Sequence, residues 1–126
     1  FQQSPEIPEC VKHMLRGKAE EVDVLLKKAY KAGVTFSMGT DAGISNHGDN
    51  TEELISYVDL GMSPMEALQT ATINSAQLIG LSDQIGSLKV GMIADVIAFD
   101  ANPLKDITAV RDVSFVMRNG ITYKHR

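Results

Sequence analysis

Asp41 is the residue best placed to do chemistry. It closes the run Gly33-Val34-Thr35-Phe36-Ser37-Met38-Gly39-Thr40 and opens onto the turn Ala42-Gly43. Carboxylates that bind metals or take protons often stand where an α/β strand ends. The position also fits a plainer role, an aspartate that only caps the following turn. His47, six residues on in the same loop, is compatible with a solvated side chain or with a metal or substrate contact. Asp49 and Asn50 read as caps for the next helix, and Asp95, inside an apolar run, as an edge or turn residue. His13 and His125 have no partner at ligand spacing. Cys10 has neither a second cysteine nor an activating base beside it and reads as an inert thiol. Gly39-Thr40-Asp41-Ala42-Gly43 lacks the lysine and spacing of a P-loop, although a turn of this kind can cradle an anion at a helix N-terminus. No CxxC, HExxH or GxSxG pattern occurs.

The elements that must position Asp41 follow from periodicity. Residues 34–38 read as a buried strand with Val34, Phe36 and Met38 on one face and Thr35, Ser37, Gly39 and Asp41 on the other. A face of small polar residues leaves room beside the carboxylate, unlike an ordinary buried parallel strand, which is aliphatic on both sides. Before it, Lys18 to Ala32 predicts a helix with Val22, Leu25, Leu26, Ala29 and Tyr30 in one stripe. Its acids come first and its lysines last, and Gly33 stops it. Residues 1–17 read as a lead-in with a short helix around Val11 to Leu15.

After the loop, Asn50 and Glu53 predict a capping box for a short helix with Leu54, Ile55 and Val58 inward and Gly61 at its end. Ser63-Pro64-Met65-Glu66 predicts a second helix, with Met65, Leu68 and Ala71 as its apolar side. A third runs through Ser75 to Ile79 and ends at Gly80. Beyond Ile85 the period becomes two. Gly86 to Leu88 and Ala94 to Phe99 read as paired strands around a Lys89-Val90-Gly91 turn. Val113 to Met117 and Ile121 to Tyr123 read as a hairpin around Arg118-Asn119-Gly120. The organisation is α/β to about residue 80 and β from about 85.

With 126 residues, 44% hydrophobic and 22% charged, the chain has the composition of a single folded domain. A net charge of −4, with no basic run, argues against a nucleic-acid partner. No apolar run reaches the ~18 residues of a membrane span, and no export signal is visible. One cysteine makes a reducing cytoplasm the expected location. The chain opens on Phe1, as a processed or truncated piece would.

At Gly39-Thr40-Asp41-Ala42-Gly43, and in the helix before Ala32-Gly33-Val34, the sequence resembles the metal-dependent amidohydrolase superfamily, most of all its imidazolonepropionase-like and prolidase-like (Xaa-Pro dipeptidase-like) branch. The likeness continues through His47-Gly48, Gly61-Met62-Ser63-Pro64-Met65-Glu66-Ala67-Leu68, Ala71-Thr72-Ile73-Asn74-Ser75-Ala76 and Gly80-Leu81. It closes with Ile85-Gly86-Ser87-Leu88, Gly91-Met92-Ile93-Ala94-Asp95-Val96, Asn102-Pro103-Leu104 and Val116-Met117-Arg118-Asn119-Gly120, and covers roughly residues 18 to 124. The resemblance implies an α/β fold: residues 1–84 as the last segment of a (β/α)8 TIM barrel with strand 8 and its trailing helices, and 85–126 as the C-terminal part of a small β-sandwich. It further implies that Asp41 is the strand-8 aspartate, which binds a divalent metal, most often zinc, and takes the proton of a metal-activated water. His47 falls in a loop near the mouth of the family's site, where a substrate contact is implied.

The family's remaining ligands, a His-x-His, a carboxylated lysine or glutamate, and two further histidines, precede the matching region. One carboxylate makes a poor zinc site, and a barrel of ~250 residues cannot close from this piece. The expectation is therefore a fragment of a hydrolase of amide or cyclic-amide C–N bonds, acting on a small amide or dipeptide when full-length. The isolated chain is expected to be inactive, with no metal bound. A strand without barrel neighbours predicts a homo-oligomer or pairing with the missing N-terminal portion. Two other readings compete: a non-catalytic self-associating domain derived from an amidohydrolase, and a small anion-binding domain built on the Gly39 to Gly43 turn.

Overall fold

The computed structural model describes residues 21–40 and 48–126. Cys10, His13, Asp41 and His47 lie outside the described residues, as do the expected lead-in and the first turn of the first helix. The chain forms two compact units, Phe1–Val34 and Thr35–Arg126.

In the first unit residues 21–31 are helical (α1). The end forms as expected at Gly33, whose N–H donates to the Tyr30 carbonyl at 2.9 Å while Val34 N–H reaches back to Ala29 O at 3.1 Å. Leu26, Ala29 and Tyr30 are half-buried, whereas Val22 and Leu25 in the same stripe are 50% and 62% exposed.

The second unit begins with residues 35–40, which the sequence reads as a strand. They join no ladder among the described residues. A strand exists through its partner, and here the nearest backbone and polar side chains belong to helices instead: Met38 N–H donates to Thr70 O at 3.0 Å. Three helices follow: α2 (Glu52–Leu60), α3 (Pro64–Thr70) and α4 (Ile73–Leu78). A 3-10 turn over Asp49–Thr51 leads into α2, with Gly48 and Thr51 at the cap positions and no side-chain cap bond at either. The expected Asn50–Glu53 capping box is thus not formed. Asn50 sits within the 3-10 turn, and Glu53 is engaged by residue 39.

The Ser63 box does form. Its hydroxyl accepts from Glu66 N–H at 3.3 Å, and the Glu66 carboxylate accepts from Ser63 N–H at 2.8 Å, with Pro64 opening the helix. The buried side of α3 is Ala67 and Thr70, with Leu68 half-buried, rather than the expected Met65, which is exposed. Helix α4 starts at Ile73, two residues before the expected Ser75, and closes at Gly80.

The sequence reads residues 86–88 as a paired strand. They form no ladder. Instead β1 (Val96–Phe99), β2 (Val113–Arg118) and β3 (Ile121–His125) make one antiparallel sheet in the order β1-β2-β3. The hairpin turn is the expected one. Asn119 and Gly120 both have positive φ, 49° and 76°, the requirement of a type I′ turn. Asp95 closes it from outside, accepting the Asn119 N–H at 2.7 Å, which accounts for an acid at the mouth of an apolar strand.

Helices and sheet share one core. Leu54 of α2 packs with Ile107 and Val110, from a 3-10 turn over Ile107–Arg111, and Met38, Ile55, Val58, Leu68 and Phe99 lie against them. Outside this core, Arg111 forks onto Glu52 through Nε and Nη2 at 2.5 and 2.6 Å. That bond holds the Glu52 carboxyl below its usual range, so its contribution is present at neutral pH and lost as pH falls through the folded value.

Gly86 is the tightest point. Its φ is +87°, and a Cβ there would stand 2.7 Å from Ala76 Cβ and 2.9 Å from Thr72 O, whereas a Cβ at Gly80 (φ +72°) meets nothing within 4 Å. Gly80→Ala is expected to lose roughly 1–2 kcal/mol through its left-handed backbone alone. Gly86→Ala adds overpacking of roughly 1–3 kcal/mol. Denaturant unfolding of the two variants measures the difference, and equal losses would mean that Ala76 and Thr72 give way freely.

Candidate functional site

The described residues around the expected site are the run up to Thr40 and the chain from Gly48 onward. Thr40 and Asp49, which flank the undescribed loop, line one open groove with Glu52, Glu53 and Ser56. Of the residues singled out in the sequence, only Asp49 is among them. His125 lies on β3 with its ring edge-on to Phe115 at 5.8 Å, and Asp95 serves the hairpin turn.

What the structure adds is the machinery that holds residues 36–39. Gly39 N–H donates to both carboxylate oxygens of Glu53, each at 3.1 Å. Tyr57, one turn along α2, donates its hydroxyl to Glu53 Oε1 at 2.5 Å and stands 3.4 Å from the Ser37 carbonyl. A phenol has one proton to give, and the shorter contact to the charged acceptor takes it. From α4, Asn74 Nδ2 donates to Phe36 O at 3.0 Å, and Ser75 Oγ lies 2.7 Å from Ser37 Oγ. Phe36 meets the Tyr57 ring edge-on at 5.8 Å. The sequence reading gave Glu53 only a capping-box role and assigned no site role to Tyr57, Asn74 or Ser75. One signal was present: Glu53 and Tyr57 are four apart, so they share a helix face.

Two chemical consequences follow. The Gly39 amide is committed to a carboxylate, which removes the first donor an anion cradle at Gly39 to Gly43 would use. Among the described residues no three His, Cys, Asp or Glu side chains converge. They hold no metal by themselves, since a stable zinc site takes four N, O or S ligands.

Burial and the Glu53 carboxylate together push the Tyr57 hydroxyl well above its ordinary value near 10. The folded protein keeps this proton while the unfolded chain loses it near pH 10, so the stabilisation is whole below that pH and drains away as pH rises. The stability difference between the native chain and Tyr57→Phe, measured by urea unfolding from about pH 8 to about pH 11, is expected to narrow above about pH 10. A difference that stays constant across that range would show that the phenol is not held this way.

The comparisons with known proteins agree with the series of motifs. The model of the Amidohydrolase family matches residues 18–122. Ochratoxinase from Aspergillus niger is 39% identical over 101 residues, covering 76% of this chain and 21% of its own length. Imidazolonepropionase from Fusobacterium nucleatum subsp. nucleatum is 36% identical over 81 residues, covering 60% of this chain and 19% of its own. Among solved structures, a Xaa-Pro dipeptidase with methionine bound in its active site matches with a TM-score of 0.86 at 36% identity, over 94% of this chain and 29% of that one. The chain thus spans 21% of the ochratoxinase and 29% of the dipeptidase. With the family's pattern running from residue 18 to residue 122, this chain belongs to the amidohydrolase family.

Proposed function

We propose that this chain is the C-terminal share of a metal-dependent hydrolase that cleaves amide or cyclic-amide C–N bonds in small substrates. The family match over residues 18–122 carries the reading. In it, residues 1–84 are the last part of a (β/α)8 barrel and 85–126 contribute strands to a small β-sandwich. Asp41 is the carboxylate that joins a divalent metal, zinc by family likeness, and serves as proton acceptor. His47 contacts substrate. The other metal donors come from outside the described residues.

The reading is supported by how the chain treats the approach to Asp41. Residues 36–39 are tied at four consecutive positions to α2, α3 or α4. Such restraint suits a carboxylate that must meet a reacting atom within a narrow tolerance. The relatives' names point to amide-type substrates: a Xaa-Pro dipeptidase, an imidazolonepropionase and an ochratoxinase.

The isolated 126-residue chain is expected to show no hydrolysis of dipeptides or N-acyl amino acids and no stoichiometric zinc by metal analysis. In the longest natural chain containing this sequence, Asp41→Asn is expected to cut turnover by about 10²- to 10⁴-fold, the usual share of a positioned acid–base group. Turnover at the native rate would reject Asp41's role.

A second reading, a non-catalytic domain that associates with itself, is favoured by the exposed apolar side chains Leu78, Leu88, Val90 and Ile97. Light scattering that finds a tight oligomer, with no metal and no turnover in the longest natural chain, would select it.

A further inference from the structure

We propose that Glu53 and Tyr57 form a positioning pair that sets the peptide at Gly39 and, through it, the carboxylate two residues on; the proposal rests on the hydrolase reading of Asp41. Glu53 occupies the place where a capping box would turn its carboxylate back onto α2. It turns away from that role and centres on one amide, with both oxygens 3.1 Å from Gly39 N. A carboxylate free to rotate would not keep both distances equal. The Tyr57 hydroxyl, 2.5 Å from Oε1, fixes that rotation. Tyr57 is itself fixed: its residue is 8% exposed, and its ring meets Phe36 edge-on.

The pair therefore forms a short relay from a buried ring, through a carboxylate, to a backbone N–H that has no ladder partner. Two residues of chain reach at most about 7 Å. In the proposal, fixing the Gly39 peptide limits where a carboxylate only two residues on can stand. Neither Glu53 nor Tyr57 is required to touch substrate or metal. Their effect is on where Asp41 stands, and misplacement by about 1 Å can cost about 100-fold in rate.

The test uses the longest natural chain that contains this sequence. Glu53→Ala and Tyr57→Phe are expected to lower kcat by about 10- to 100-fold with KM nearly unchanged, the signature of an interaction that matters in the transition state. Glu53→Gln is expected to recover most of the rate, because its amide oxygen still accepts from Gly39. In protein carrying 15N-labelled glycine, the Gly39 amide is expected to exchange with solvent faster in Glu53→Ala than in Glu53→Gln. Native kcat in Glu53→Ala, a loss carried by KM, or equal losses in the alanine and glutamine variants would each overturn the proposal. Should Glu53→Ala fail to fold, Tyr57→Phe, which keeps the ring against Phe36, decides by the same two readouts. If Asp41→Asn leaves turnover whole, the hydrolase reading falls instead, and the Gly39 exchange rate alone still tells whether the pair holds that peptide.

Discussion

A stretch of backbone without a β partner must find its hydrogen bonds elsewhere, and the arrangement of α2, α3 and α4 answers that need. Residues 36–39 are bonded by Asn74, Ser75, Thr70 and Glu53 in turn, from three different helices. Leaving the half-buried groups of residues 36–38 unpaired would cost about 1–3 kcal/mol each. The helices are short for their work, at nine, seven and six residues. Isolated helices of that length are marginal in water, so the segment and the helices support one another. Thr70 shows the economy of the scheme: its carbonyl accepts both from Met38 N–H and from Ser75 Oγ, and its own hydroxyl returns to Ala67 O.

The sheet is joined to this assembly through its connections and through Phe99 at the end of β1. Ile107 and Val110, in the crossover between β1 and β2, insert beside Leu54 of α2, and the Arg111–Glu52 fork lies at the rim of the same contact. The fork is exposed on both sides, so packing carries the contact and the ion pair adds little. A second junction is made at Gly86, where the chain leaving the helices runs against Ala76 and Thr72 closely enough to exclude any side chain. Close packing of this kind passes displacement from one element to another. The strands are thereby coupled to the helices that hold residues 36–39.

The sequence made local features legible wherever one residue type has a single mechanical use. Gly33, the Ser63-Pro64-Met65-Glu66 cap and the Asn119-Gly120 turn each appear in the structure as expected. It misled wherever a residue had two possible partners. Glu53 satisfies a capping-box spacing, but a bare amide at Gly39 competes for the same carboxylate and wins. Residues 34–38 alternate like a strand, yet alternation describes side chains and supplies no neighbour to pair with. The reading of residues 86–88 failed for the same reason. Of the candidate site, the sequence picked out Asp41 and His47, which lie outside the described residues, and did not bring Glu53 and Tyr57 together. Tyr57 has no part in the apolar side read for α2, which is Leu54, Ile55 and Val58. Only its 2.5 Å contact to Glu53 gives it a task.

The distribution of apolar side chains bears on what surrounds this chain in its working form. Among the described residues, seven hydrophobic side chains are buried, while fifteen large ones stand exposed. Single exposed leucines or valines are ordinary on any protein. Leu88 at 82% and Val90 at 108% exposure are different, because one precedes and the other lies within the Lys89–Met92 turn, and with Ile93 they line a single surface groove. Near it Leu88 and Ile93 also line a cavity of about 370 Å³ with Ile79, Ile85 and Ile97. Removing apolar surface from water gains about 25 cal/mol per Å², so side chains gathered in this way gain from being covered. The seven buried residues alone are a small core for holding the described elements together. Further protein against these faces, a second copy or additional chain, would enlarge that core. It would also stiffen the route through Gly86 and α4 to Ser75 and Ser37, and so to the approach to Asp41.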